Sequence, residues 1–453
     1  MNEPDRWGEK LPRRLGPWSA AAVVIGSTIG SGIFRTPADI AKRVETVAAF
    51  ASVWLVGAVI ALCGALSYAE LSAMMPRTGG IYVYLREAFG RIWAFLFGWA
   101  ELLVLRPAAY GAIAVTCADY AWRLAGVDGD VAALGMLSRA QVTAAVLIVV
   151  VGVANIRAIA LGAVIQNVST LLKMSALLAL CGLGARWALG GHAGLADGTS
   201  HVVDSPAAAF GLALVSVMWA YDGWSDVGFV SGEVRDPQRN LPRAFVLGTL
   251  AVAALYLGAN AAYLAVIPLA KMPGSSLIAA DVAATVVGEA GVAFVSAAVV
   301  VSTFGTLNGS MMTGPRVFYA MAADGLFFRA LAKVDPRYGT PGRAIAMSIV
   351  LGVVFVSVKR FAELADQFVV GIWPFYAMGV LAVFVLRKRD PDRERPYRTW
   401  GYPFVPALFL VATIYLLGAY LVTEPLKFAA CIGVIALGVP VYLLWTRKSA
   451  SPG

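Results

Sequence analysis

Gly26, Gly30 and Gly32, with Ser27, Thr28 and Ser31 among them, put three glycines into seven residues of an otherwise apolar stretch. Each glycine inside a helix costs about 1 kcal/mol relative to alanine, so a helix crossing a membrane here is expected to break. Bare backbone at membrane depth is tolerated only where protein buries it or water lines it. The half-helix after such a break offers free N–H groups and a positive dipole end to an anion. The same glycines also fit a plain packing face, because Gly26 and Gly30 have small-xxx-small spacing. A second constellation, Trp219-Ala220-Tyr221-Asp222-Gly223-Trp224-Ser225-Asp226, sets two carboxylates, a glycine and a serine inside another apolar stretch. Asp222 and Asp226, at i and i+4 on one face, also fit simple contact with water or a basic neighbour. Lys173 stands alone among apolar turns, and an ionisable group so placed is costly and a functional candidate by default.

The elements that carry these residues are membrane spans. Of 453 residues, 59% are hydrophobic and only 14% charged, against about 25% charged in soluble domains. Allowing roughly 20–25 residues per span, twelve segments emerge: 18–40, 48–75, 90–124, 138–157, 161–188, 207–231, 243–269, 290–321, 342–358, 364–387, 403–422 and 426–446, hereafter spans 1 to 12. The chain is therefore expected to be an all-α polytopic membrane protein. Residues 1–17 and 447–453 form short tails, and the loops are too short for an appended soluble domain. The longest outer loop, 190–205, is rich in glycine and alanine and reads as a cap over the outer mouth. No cleaved signal peptide is expected.

Arg6, Lys10, Arg13 and Arg14 precede span 1. Arg77, Arg86 and Arg91 follow span 2, and Arg235, Arg239 and Arg243 follow span 6. Arg329, Lys333, Arg337 and Arg343 follow span 8, and a run from Arg387 to Arg398 follows span 10. Loops after odd-numbered spans hold few basic residues, such as Lys271 and Lys359-Arg360. This bias places both termini in the cytoplasm and accounts for the net charge of +9 without nucleic acid. Cys63, Cys117, Cys181 and Cys431 lie apart inside apolar spans, and His192 and His201 have no ligand-like neighbours. No metal or cofactor is expected.

Spans 1 and 6 occupy matching places if 18–188 and 207–387 are repeats, and paired interrupted segments point to a transporter site at the midplane. Because five spans is an odd number, the second unit runs opposite to the first. Four stretches carry a resemblance to a known family: Gly26-Ser27-Thr28-Ile29-Gly30-Ser31-Gly32-Ile33-Phe34, Glu101-Leu102-Leu103-Val104-Leu105-Arg106-Pro107, Tyr221-Asp222-Gly223-Trp224 leading to the run from Glu233 to Pro242, and Phe304-Gly305-Thr306-Leu307-Asn308-Gly309-Ser310. In these the chain resembles the amino acid–polyamine–organocation transporters, most closely the L-type amino acid transporter branch with its bacterial exchangers.

The resemblance implies a LeuT-type 5+5 inverted repeat with interrupted helices 1 and 6, plus two extra C-terminal helices in 403–446. It also implies amino acid transport by alternating access, often as one-for-one exchange. The substrate carboxylate is expected at N–H groups around Ser27, Thr28, Gly30, Ser31 and Gly32. The amine is expected at carbonyls near Ile25 and from Trp219 through Ala220 and Tyr221 to Asp222. A zwitterion brings two charges that each cost several kcal/mol if left unpaired at low dielectric, and helix ends supply partners without net charge. Trp219 matches the family's outer lid, although an ordinary packing role also fits. Asp222 stands where animal members carry a small residue; it could hold the amine, hold a cationic side chain, or pair internally.

The family's matching lysine places Lys173 where sodium-driven relatives hold a cation, between spans 1 and 8. Ser302, Thr306 and Ser310 share a helical face that could receive it. Sodium-independent transport follows, with Lys173 coupling the two bundles; proton coupling and a plain packing lysine remain as alternatives. Glu101 and Arg106 read as a mainly structural pair, and Glu233 with the Arg239-to-Pro242 cap as gate architecture. Gly223, Trp224 and the faces of spans 3 and 8 are expected near the side-chain pocket. Animal L-type members join a single-span glycoprotein through a cysteine in the loop after span 3; here 125–138 has none, so no disulfide-linked ancillary subunit is expected.

The main expectation is a neutral L-amino acid exchanger in a bacterial inner membrane. Its rivals within transport are a proton-coupled symporter and a carrier of cationic amino acids or polyamines. A membrane enzyme needs a His/Asp/Cys centre near one surface, which the sequence does not offer. A membrane-embedded amino acid sensor normally carries a soluble output domain, for which the loops leave no room.

Overall fold

The computed structural model describes residue 13 and residues 15–157, 159–192, 205–335, 337–338, 340–358 and 361–450. The basic residues Arg6, Lys10, Arg14, Lys359 and Arg360, the residue His201 and most of the 190–205 cap lie outside them. The described chain is helical except for a hairpin, Ala132–Leu134 against Leu137–Ser138, in the loop after span 3. Ten of its helices are long and apolar enough to cross a membrane. Pro206–Tyr221 and Gly342–Val358 are shorter apolar helices at the expected places of spans 6 and 9. The protein is a polytopic, all-α membrane protein, as the composition requires.

Span 1 is broken. Its first helix, Pro17–Thr28, stops where Ile29 leaves helical geometry (φ −72°, ψ 87°), and a second helix runs Gly32–Ala41. Span 6 breaks likewise: Pro206–Tyr221 ends at an extended Asp222, Gly223 takes φ +106°, and the chain resumes as a 3-10 turn, Asp226–Glu233. Span 3 is continuous over Arg91–Leu124 but contains a π-helical turn at Glu101–Leu105. Pro107 follows that turn and cannot donate to the carbonyl one turn back, and π-bulges often occur at functional sites.

Neighbour relations follow a pattern. Span 2 (Val47–Met74) packs along span 7 (Pro237–Val266), span 3 along span 8 (Glu289–Thr313), and span 4 (Arg139–Arg157) along span 9. Two ten-residue-scale helices, Ile81–Phe89 and Ile278–Val287, occupy what the sequence suggested were plain loops. They are too short to span, and their buried faces carry Tyr82 and Tyr84 in the first and Ala279 and Val282 in the second. Span 12 crosses as Pro425–Thr446, with an irregular residue, Leu437, between Pro425–Ala436 and Gly438–Ala450.

The two broken spans cross where they are unwound. A Cβ on Gly32 would lie 2.4 Å from the Ala220 Cα, and one on Gly223 would lie 2.7 Å from the Ser27 carbonyl carbon and the Thr28 nitrogen. No side chain fits between them. Replacing Gly223 by alanine adds both this clash and a positive-φ strain of about 1–3 kcal/mol. Gly223→Ala is expected to lower the thermal unfolding temperature of the detergent-purified protein. Gly433→Ala, at a position with nothing within 4 Å, is expected to leave it unchanged; equal melting of both variants would refute the crossing.

Candidate functional site

A small cavity lies at the crossing. Its walls are Ser27, Thr28, Gly30, Ser31 and Gly32 from span 1, Trp219, Asp222, Gly223 and Asp226 from span 6, Arg106, Ala109 and Ile113 from span 3, Thr306 and Ser310 from span 8, and Phe368 from span 10. About 40 Å³ is open to water-sized molecules, above the roughly 10–15 Å³ a cavity needs to hold one water. Helix Gly32–Ala41 points its N-terminal end here, with the unpartnered N–H groups that every helix start carries. Helices Pro17–Thr28 and Pro206–Tyr221 end here, presenting carbonyls. Opposite dipole ends therefore face one space.

Not every expected residue faces it. The Tyr221 ring packs on Trp54 and Tyr256, and the Trp224 ring on Tyr68, Tyr376 and Phe409; both side chains point away from the cavity. Ala220 meets Gly32 at the crossing, and the Ile25 carbonyl accepts from the Ile29 N–H at 2.8 Å; neither residue is part of the cavity wall. Asp222 accepts a 2.6 Å hydrogen bond from the Tyr376 hydroxyl, which also lies 3.0 Å from Ser225 Oγ. Span 10 thus holds the carboxylate at the cavity edge, a partner that the Asp222 sequence context did not indicate.

Lys173 is buried, and its ammonium donates to the Gly26 carbonyl at 2.6 Å and to Thr306 Oγ1 at 2.7 Å. It joins spans 5, 1 and 8 behind the cavity wall, with no carboxylate in ion-pair range among the described residues. Gly305 lets the spans close up, since a Cβ there would sit 2.5 Å from Ser169 Oγ. Ser302 Oγ donates to the Ile29 carbonyl at 3.4 Å, and Thr306 Oγ1 lies 3.1 Å from the same oxygen. Ser310 instead lies 3.4 Å from Arg106 Nη1.

The Glu101–Arg106 pair forms at 2.5 Å. Beyond that structural role, Arg106 lines the cavity, approaches Asp226 at 4.0 Å and sits over the Phe229 ring. Arg106, Ala109 and Ile113 share one helical face; the sequence pointed to a span 3 face without naming Ala109 or Ile113, took Arg106 as structural, and gave no sign of Phe368. Side-chain contacts flank the cavity on both sides. Trp219 packs edge-on against Phe361 and Phe368, and Arg35 covers Phe361 while pairing with Asp119 at 2.5 Å. At the face where span 1 begins, Glu233 pairs with Arg316 at 2.6 Å, and Leu15 exchanges backbone hydrogen bonds with Glu233 and Arg235 at 2.9 and 2.8 Å.

This geometry sits inside a match of residues 15–437 to the amino acid permease family model. The chain belongs to the amino acid permease family. It is similar to the serine/threonine exchanger SteT of Bacillus subtilis, with 31% identity over 97% of this chain and 98% of that protein. It is also similar to the mouse b(0,+)-type amino acid transporter 1, at 29% over 98% and 91% of the two chains. The human cystine/glutamate transporter matches at 28% over 97% and 87%. This permease therefore carries the broken-span cavity over the whole length of a transporter-type chain.

Glu101 is fully buried and its Oε1 has no hydrogen-bond partner, so its carboxylate depends on Arg106. Arg106→Met is expected to destabilise the permease by about 3–5 kcal/mol, the cost of leaving one ion of a buried pair alone. Adding Glu101→Gln is expected to restore most of that loss in thermal denaturation; no recovery would show that Arg106 acts independently of the pair.

Proposed function

We propose that this permease is a sodium-independent exchanger of small neutral L-amino acids, working by alternating access in a bacterial inner membrane with both termini cytoplasmic. One observation carries the proposal: a single cavity bounded by the N-terminal end of helix Gly32–Ala41 and the C-terminal ends of Pro17–Thr28 and Pro206–Tyr221. The α-carboxylate belongs at the N–H groups from Gly30 to Gly32. The α-amino group belongs at carbonyls near Ile25 and from 219 to 222, with Asp222 within reach. Both zwitterion charges then find partners without importing net charge. A short side chain is in keeping with the serine/threonine exchanger among the relatives.

Residues 18–188 and 207–387 act as inverted repeats in this reading, with 403–446 added outside them. The packing of span 2 on 7, 3 on 8 and 4 on 9 supports it, because each pair joins equivalent positions of the two units. Trp219 serves as the lid on the Arg35 side, and Lys173 stands in for a dissolved cation between spans 1 and 8. No ancillary subunit is required. A carrier of cationic amino acids is the second reading, favoured by one fact: Asp222 and Asp226 both line the cavity against a single Arg106.

Vesicles preloaded with labelled serine are expected to release it only when unlabelled amino acid is present outside, with no change when sodium is replaced by choline. Concentrative uptake driven by a proton gradient alone would overturn exchange, and preferential counterflow with lysine would favour the cationic reading. Lys173→Met removes an ammonium whose partners are all neutral. It is expected to cut exchange more than tenfold while thermal stability holds or rises, since burying a charge among neutral groups is costly. Full turnover in that variant would remove Lys173 from the cycle.

A further inference from the structure

A groove unrelated to the central cavity opens where span 7 enters the membrane. It encloses about 550 Å³ between the start of span 7 and the segment preceding span 11, with Leu66 at its base. Arg239, Arg243 and Leu247 follow one another at i, i+4 and i+8, so they form one ladder up the span 7 side. The ladder is graded. Two exposed guanidiniums stand at the rim, and Leu247, 62% exposed, lies about 6 Å deeper at 1.5 Å per residue. Neither arginine has an acidic partner among the described residues.

The facing wall is Tyr397 and Trp400, the latter 76% exposed. That wall is fixed rather than loose: the Thr399 N–H donates to Glu70 Oε2 at 2.7 Å, and Arg387 holds the same carboxylate at 2.6 Å. Exposed Tyr402 and Phe404 continue the aromatic edge at the start of span 11, as side chains do at a membrane interface. The groove thus pairs unneutralised positive charge at headgroup level with apolar surface one turn deeper. A zwitterionic lipid brings its own ammonium to its phosphate and so leaves two guanidiniums under-compensated. A lipid with net negative charge offsets more of that charge, one unit for phosphatidylglycerol.

We propose that this groove is a binding site for an anionic phospholipid, its phosphate held by Arg239 and Arg243 and an acyl chain laid along Leu247 and Trp400. The site is separate from the transport reading and stands or falls without it. The test uses the purified full chain, extracted from bilayers of mixed phosphatidylcholine and phosphatidylglycerol and examined by native mass spectrometry. Wild type is expected to retain phosphatidylglycerol in preference to phosphatidylcholine, and R239Q/R243Q to lose that preference. R337Q/R343Q, which removes equal charge elsewhere, is expected to keep it. No preference in wild type, retention in R239Q/R243Q, or loss in both double variants overturns the site. L247W fills the apolar floor with both arginines intact and is expected to release the lipid. Retention there, or displacement of the lipid by inorganic phosphate alone, overturns the acyl-chain placement. L247W also provides the reading should R239Q/R243Q fail to fold.

Discussion

The structure depends on main chain meeting main chain with nothing between. Gly32 lies against Ala220, and Gly223 against the Ser27–Thr28 peptide, at distances that exclude even a methyl group. Helices unwound alone inside a membrane would leave polar groups without partners. Crossing two unwound segments lets each bury the other's backbone and gathers three helix ends around one space. The cavity is a by-product of that crossing, and its chemistry is mostly peptide chemistry. Side chains then specialise it: Arg106 and two carboxylates set its charge, and Trp219 with Phe368 sets its shape.

Contacts on both sides of the cavity also accompany the crossing. On one side an arginine rests on an aromatic ring and a carboxylate, while on the other Glu233 meets Arg316. Both sets tie a half-helix of span 1 or 6 to a span outside the crossing. The glycine contacts of the crossing are made by other residues than these pairs. Lys173 adds a tie from span 5, because its two partners belong to spans 1 and 8.

Much of this was legible in the sequence because it carries a local energetic signature. Clustered glycines in a membrane span are costly, so Gly26, Gly30 and Gly32 announced the break. A lone lysine among apolar turns is costly too, and Lys173 indeed reaches Thr306 of the hydroxyl face. What stayed hidden depends on direction rather than composition. The π turn at Glu101–Leu105 shifts the helical register just before Arg106, which brings the Arg106, Ala109 and Ile113 face onto the cavity. Regular periodicity gave no sign of that shift. Tyr221 and Trp224 flank Gly223, whose positive φ turns the chain sharply, and both rings point into neighbouring aromatic packing instead of the cavity. Helices of about ten residues, such as Ile81–Phe89, fell below the length at which apolar runs stand out.

The short parallel contact of Leu15 with Val234 has its own implication. It joins the approach to the first rod with the departure from the sixth through peptide groups, Leu15 N–H donating to Glu233 and Arg235 N–H to Leu15, while the Val234 side chain is buried in the apolar core. The seam therefore has two separate requirements: an apolar side chain at 234, and a main-chain donor at 15 and at 235, where proline would remove it.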